Sequence, residues 1–263
     1  SMFLRGFGER RPFFCSPLGF DNIQPKPIEK ERKIVLESCF PKGKTIVGYC
    51  GSMGISNAFE TFMECIDILG EDSGVHFVLV GDGDLRRKFM ERLDHRTNLT
   101  FVNKIPSTVV PHFLSLCDVL YLSTHDSKVW EFGQSMNKFV EYMLSGKPIL
   151  ATYSGFPSML NESKAWEFVS PNDVNALKVA ILKYCFMSSS KREDIGAKGR
   201  RWILHNRSYG RLAKEYLQEI KKMYLLDQGK RNEMGLIGRK HVENKFNHEL
   251  VCQIYLDALS NVS

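Results

Sequence analysis

Short apolar runs alternate with amphipathic stretches along the first two thirds of the chain. Continuous apolar runs predict five strands: 46–50, 75–80, 99–102, 118–122 and 148–152. Apolar residues at helical spacing predict helices over about 57–69, 85–93, 106–116 and 135–145. Strands and helices that alternate at this spacing predict an α/β fold, an open and doubly wound parallel sheet. A ligand is expected at the carboxyl ends of the strands.

The last third of the chain, residues 172–263, has a helical pattern throughout and contains a repeat. A shift of 39 positions aligns Gly196 with Gly235, Gly199-Arg200 with Gly238-Arg239, and Tyr216-Leu217 with Tyr255-Leu256. A period of this length is typical of stacked helical pairs. The repeat predicts two similar pairs, 191–220 and 230–259, with the second packed beside the first.

Cysteine usage and hydropathy restrict the class of protein. The seven cysteines are scattered, with no Cys-x-x-Cys and no Cys/His cluster at metal spacing. Such a pattern indicates reduced thiols in a cytoplasmic protein. No apolar run approaches the roughly 20 residues of a membrane span.

The net charge of +6 comes from the tail. Residues 185–263 contain 15 Lys and Arg against nine Asp and Glu, whereas the preceding residues are balanced at 21 each. Such a basic helical face is either solvated or binds an anionic membrane surface, which would place the protein peripherally at its inner face. Nucleic acid is not predicted as a partner.

The stretch from Trp130 to Ala151 carries the strongest chemical pattern. Ser135 is predicted to cap a helix, whose free N–H groups and dipole suit a phosphate. Lys138 in the first turn adds a cation, and Glu141 shares its face one turn later. The carboxylate could hold a ribose diol.

A glycine loop follows the first predicted strand. Its spacing is Gly48-x-x-Gly51-x-x-Gly54, which is neither the dinucleotide fingerprint nor a P-loop. The loop is either a tight turn or a backbone cradle for a diphosphate, with Ser52 and Asn57 as neutral donors.

The segment from Gly133 to Pro148 reads G-x-S-x-N-K-x-x-E-Y-M-x-x-G-K-P, which resembles the donor-binding motif of retaining glycosyltransferases with the GT-B fold. This large family includes bacterial O-antigen and capsule enzymes. The resemblance implies that Glu141 binds the ribose and Lys138 the diphosphate, and that Gly133, Ser135 and Asn137 belong to the same site. The first of two glutamates usual in the family falls on Gly133.

Other positions extend the resemblance. Gly81 lies where relatives have a glycine loop, and Lys104 lies where they hold the nucleobase. Many relatives carry Arg and Lys near Ser52 and Asn57, so the neutralising charge is expected from Lys138. His125 follows the fourth predicted strand on the ligand side, where it is either a polar contact to the donor or merely exposed.

The resemblance implies three segments. Residues 1–44 would be the end of a missing N-terminal domain and a linker, 45–226 the nucleotide-sugar-binding domain, and 227–263 a helical extension. The implied activity is transfer of a hexosyl or N-acetylhexosaminyl group, with retention, from a nucleoside-diphosphate sugar to a glycan or lipid-linked acceptor in polysaccharide biosynthesis. UDP is the expected nucleotide. No cofactor or metal is required, no catalytic residue is assigned, and these residues alone are expected to be inactive.

Two other functions fit the same fold. A UDP-sugar 2-epimerase would share it, although the carboxylate and His constellation that such chemistry needs is not seen in the sequence. A non-catalytic module could bind a nucleotide or a partner through its basic tail.

Overall fold

The computed structural model describes residues 18–21, 27–54, 57–126, 136–154 and 159–245. These residues contain one parallel sheet of six strands in the order β3-β2-β1-β4-β5-β6. The strands are β1 Thr45–Cys50, β2 Val75–Val80, β3 Leu99–Val102, β4 Val119–Ser123, β5 Ile149–Thr152 and β6 Trp166–Val169. The order reverses between β1 and β4, and in open parallel sheets ligands bind at such a reversal, beyond the carboxyl ends of the strands.

Ten helices accompany the sheet within the described ranges. They are α1 Lys30–Glu37, α2 Glu60–Ile68, α3 Arg86–Leu93, α4 Val110–Leu116, α5 Asn137–Ser145, α6 Met159–Ser163, α7 Val174–Phe186, α8 Ser189–Asn206, α9 Tyr209–Tyr224 and α10 Gln228–Lys245. None of the helices described here has the length and apolar character needed to cross a bilayer.

Alternating strand residues divide the core into two clusters, one on each face of the sheet. Val47, Tyr49 and Tyr121 point to a cluster that includes apolar residues of α2, α3 and α7. Ile46 and Leu120 point to the opposite cluster, which includes residues of α4, α5, α6 and α8. The sheet is thus covered on both faces, which confirms the predicted doubly wound architecture.

Local signals set several helix ends. The Asp173 carboxylate accepts the Ala176 N–H at 2.8 Å and caps α7, and the Ser188 hydroxyl accepts the Lys191 N–H at 3.4 Å and caps α8. Gly146, with φ at 72°, ends α5 in the left-handed region that glycine adopts without a steric penalty.

The structure corrects several predicted bounds. Helix α2 begins at Glu60, not near residue 57, and α4 begins at Val110, not at 106. In both places the residues predicted as the first turn of the helix instead form a turn before the α-helix begins. Met136, not Ser135, occupies the N-cap position of α5, and its side chain makes no capping hydrogen bond. Strand β6 was not predicted, because Glu167 interrupts its apolar residues.

The chain divides into two units between Gly210 and Arg211. The first contains the sheet, and α1 belongs to it, with Leu36 buried in its core. The second contains most of α9 and all of α10. The predicted boundaries at 44/45 and 226/227 stay predictions.

The 39-residue repeat is visible in the helix bounds. Helices α8 and α10 each have 18 residues and begin 39 positions apart. The equivalent glycines of the two helices differ in how closely other atoms pack against them. A Cβ on Gly196 would lie 1.9 Å from the Gly146 carbonyl oxygen, whereas one on Gly235 would meet nothing within 4 Å. The partner expected for α10, in 248–259, lies outside the described residues, so the second pair stays a prediction.

Candidate functional site

A cleft of about 520 Å³, here called the β1–β2 cleft, opens at the carboxyl ends of these two strands. Its lining includes Gly51, Ser52, Gly81, Asp82 and Lys104. Four of the predicted site residues therefore share one cleft. They come together because parallel strands end at the same edge of the sheet.

The two glycine loops are packed backbone to backbone. A Cβ on Gly81 would lie 1.8 Å from the Gly51 carbonyl oxygen, so only glycine fits there. Gly51 N–H donates to the Val80 carbonyl at 2.9 Å, and Gly81 N–H donates to the Val102 carbonyl at 3.2 Å. These two amides are thus already paired. Of the two interpretations of the first glycine loop, a tight turn or a backbone cradle, the pairing of the Gly51 amide favours the turn at that position. The glycines allow the two loops to approach closely.

Lys138 lies across the first glycine loop. Its Nζ donates to Tyr49 Oη at 3.0 Å and lies 4.8 Å from the centre of the Tyr49 ring. A Cβ on Gly51 would lie only 2.4 Å from the Lys138 Nζ. Burial lowers the pKa of Lys138 from its ordinary 10.5, an effect opposed by the neighbouring Cys50 and Glu141. The side chain therefore holds a partly desolvated cation beside Gly51.

The Ser52 carbonyl is held by two donors. Tyr49 Oη donates to it at 2.6 Å, and Asn57 Nδ2 donates at 2.9 Å. The Ser123 hydroxyl, at the end of β4, donates to the Asn57 carbonyl. Asn57 thus fixes the shape of the loop and uses one of the two Nδ2 hydrogens to do so.

Glu141 lines a second cleft of about 380 Å³, here called the Glu141 cleft. Both clefts are lined by Ser107 and Val110, so they adjoin along the start of α4. Glu141 reaches solvent, yet desolvation of part of its carboxyl raises its pKa above the ordinary 4.5 and outweighs the opposing effect of Lys138. Lys138 and Glu141 are therefore close neighbours on the same helix, as their spacing predicts.

The remaining predicted residues are less defined. Gly133 and Ser135 lie outside the described residues. Asn137 is the exposed first residue of α5, and His125 is exposed just after β4. No group of three or more His, Cys, Asp or Glu arranged to hold a metal occurs among the residues that the structure describes.

Two tyrosines of the site were missed from sequence. Tyr49 contacts Lys138, and the Tyr142 hydroxyl accepts the Cys50 N–H at 3.1 Å, which fixes the end of β1 to α5. Both are fully buried, and a buried tyrosine within an apolar run is normally read as core. For Tyr49 the available signal was that a buried hydroxyl needs a hydrogen-bond partner, whereas Tyr142 belongs to the motif at 133–148, which assigned it no role.

Comparisons with known proteins agree with this geometry. The model of the family described as glycosyl transferases group 1 matches residues 44–185, more than half of the chain. No curated protein sequence matches.

Among solved structures, Anabaena HepE in complex with UDP-glucose has a TM-score of 0.59 at 15% identity, covering 78% of this chain and 56% of HepE. WaaG, a glycosyltransferase involved in lipopolysaccharide biosynthesis, has a TM-score of 0.57 at 14% identity, covering 76% and 54%. The C-terminal domain of LpcC, a group 1 family protein from Francisella tularensis, has a TM-score of 0.57 at 17% identity, covering 73% of this chain and 100% of that domain.

At these identities the structural likeness shows the fold alone. The chain spans about half the length of the HepE structures, 51% to 56%. The sheet order and these neighbours identify the fold as the Rossmann-like α/β fold found in GT-B glycosyltransferases. With its family model matched over residues 44–185, the chain belongs to the glycosyl transferases group 1 family.

Proposed function

We propose that this chain is the donor-binding domain of a glycosyltransferase that uses a UDP-sugar. The observation that carries the proposal is the meeting of Lys138, the close-packed glycine loops and Glu141 around two adjoining clefts at the carboxyl edge of the sheet. The complexes of HepE with UDP and with UDP-glucose support the choice of nucleotide.

The proposed arrangement gives each group one task. The diphosphate lies near Gly51, where Lys138 and the first turn of α5 supply positive potential. Glu141 accepts hydrogen bonds from the ribose hydroxyls, and Lys104 borders the nucleobase. A preorganised cation that stabilises charge on a departing diphosphate contributes the main electrostatic part of such a transfer.

The finer parts of the proposal concern the sugar and the acceptor. We infer transfer of a hexosyl or N-acetylhexosaminyl group, with retention of configuration, to a glycan or lipid-linked acceptor. Support comes from the motif at 133–148 and from the role of WaaG in lipopolysaccharide biosynthesis. The acceptor would contact a further domain, in a protein of the cytoplasm that works at the inner face of the membrane.

Calorimetric titration with UDP tests the proposal. Glu141→Ala should weaken binding by roughly 1.5–3 kcal/mol, the range for a hydrogen bond to a charged group. Glu64→Ala, on the outer side of α2, is the matched control and should bind like the parent. If the Glu141 variant and the parent bind UDP with equal affinity, Glu141 does not bind the ribose.

A thermal-shift panel with UDP-, GDP-, ADP- and CDP-sugars identifies the base, with the largest stabilisation expected from a UDP-sugar. The 2-epimerase alternative predicts conversion of UDP-N-acetylglucosamine without any acceptor, whereas the transferase predicts none. A non-catalytic module that recognises only a partner predicts no shift with any nucleotide sugar.

A further inference from the structure

The tyrosine beneath the first glycine loop links three parts of the candidate site. Tyr49 Oη accepts the Lys138 Nζ at 3.0 Å and donates to the Ser52 carbonyl at 2.6 Å. It therefore connects the cation of α5 to the backbone of the β1 loop. We propose that Tyr49 is a positioning residue, which fixes the Lys138 ammonium beside Gly51 so that the ammonium meets the donor diphosphate. This inference rests on the proposed function.

The packing around Tyr49 makes its hydroxyl a fixed point. The side chain is fully buried, and its ring lies 4.6 Å from that of Phe59. A lysine has four rotatable side-chain bonds, so an unrestrained ammonium would sample many positions. A rigid acceptor near the tip of Lys138 restricts this motion before the ligand arrives, which reduces the entropic cost of binding.

The hydrogen bond from Tyr49 to the Ser52 carbonyl orients the tyrosine hydroxyl so that it can accept from Lys138. Because the phenol proton points to the Ser52 carbonyl, the oxygen presents a lone pair to Lys138. The Ser52 carbonyl also accepts from Asn57 Nδ2 at 2.9 Å. Tyr49→Phe therefore removes the acceptor of Lys138 while the loop keeps one of its two anchors and the ring keeps its packing.

The charge state of Lys138 gives a readout that a purely structural role would not move. The titratable groups that face its ammonium are Tyr49, Cys50 and Glu141. Burial already lowers the pKa of Lys138. Loss of the tyrosine oxygen removes a partner of the charged form and should lower this pKa further.

The experiment compares Tyr49→Phe with Tyr121→Phe. Tyr121 is an equally buried tyrosine of the same core, and its hydroxyl lies 3.2 Å from Thr152 Oγ1. Each variant loses one phenol hydrogen-bonding group, but only Tyr49 contacts Lys138. UDP affinity is measured by calorimetry from pH 7 upwards, and the Lys138 pKa is measured by NMR on protein labelled in the lysine side chains.

The expected result for Tyr49→Phe is an affinity loss of about 10-fold, with both the alkaline fall in affinity and the Lys138 pKa moved to lower pH. Tyr121→Phe should match the parent in UDP affinity, in the pH at which this affinity falls and in the Lys138 pKa. An unchanged affinity and Lys138 pKa in Tyr49→Phe, with Lys138→Met losing binding, overturns the positioning role but keeps the proposed function. A parent that does not bind UDP overturns the proposed function, and the positioning role with it, whatever the Lys138 pKa does.

Discussion

Lys138 is the residue on which the candidate site depends most. It was predicted from sequence because it occupies the first turn of a helix that follows a strand-linking loop. Its surroundings were not predictable, because its partner Tyr49 lies 89 positions away. The structure adds that this cation is partly buried and held in place.

The protonation of Lys138 predicts a pH dependence of donor binding. Burial lowers its pKa, so the group loses its charge at a lower pH than the ordinary 10.5. Because a diphosphate favours the charged form, affinity for UDP should be full below the lowered pKa and fall as pH rises through it. Calorimetry between pH 7 and 10 measures this fall.

Lys138→Arg is the control for that pH dependence. Guanidinium keeps its charge throughout this range, so the variant should lack the part of the fall that comes from deprotonation of Lys138. Circular dichroism at each pH verifies that the protein stays folded. If the parent and Lys138→Arg show the same profile, the ammonium of Lys138 does not set the pH dependence of binding.

The same pKa shift has a consequence for stability. A lysine whose pKa is lower in the folded state opposes folding while it is charged in both states. The penalty is present below the lowered pKa and disappears as pH rises towards 10.5. The parent should therefore gain free energy of unfolding relative to Lys138→Met over that interval, as measured by urea denaturation at each pH.

At the scale of elements, the strands were easier to predict than the helix starts. Apolar runs mark β1 to β5 within one residue. For β1, β2, β4 and β5 the run is continuous because a central parallel strand is covered on both faces. The starts of α2 and α4 were placed too early, since the residues before them form turns whose composition also suits a helix. Strand β6 was missed because Glu167 interrupts its apolar residues.

The repeat shows that similar sequence does not ensure similar packing. Helices α8 and α10 have the same length and both contain the Gly-x-x-Gly-Arg segment. In α8 the glycines are buried, and Gly196 lies against the end of α5. In α10 the corresponding glycines are exposed, so their segment is not needed for close contact in the part of the chain that is described.

Two matched substitutions test this difference. Gly196→Ala would place a methyl group 1.9 Å from the Gly146 carbonyl and should destabilise the protein by about 1–3 kcal/mol. Gly235→Ala meets nothing within 4 Å and should be neutral or stabilise by up to about 1 kcal/mol through higher helix propensity. Urea denaturation measures both. Equal destabilisation by the two changes would contradict the assigned surroundings.

At the scale of the whole molecule, the chain corresponds to about half of its HepE neighbours. In the proposed function the acceptor would contact a further domain. We therefore expect these 263 residues to bind a UDP-sugar without transferring it. An assay with UDP-sugar and a lipid-linked acceptor should give no product above background under conditions where calorimetry shows binding. Product formed by this chain alone would show that the acceptor site lies within it.

Hydrogen exchange with and without UDP measures where on the chain the donor nucleotide binds. UDP should slow exchange of amides in three segments: 51–54 after β1, 103–107 before α4, and 137–140 at the start of α5. Amides of α10 provide an internal control and should not change. If saturating UDP leaves these three segments unchanged and protects other parts of the chain, the nucleotide binds elsewhere and the account is wrong.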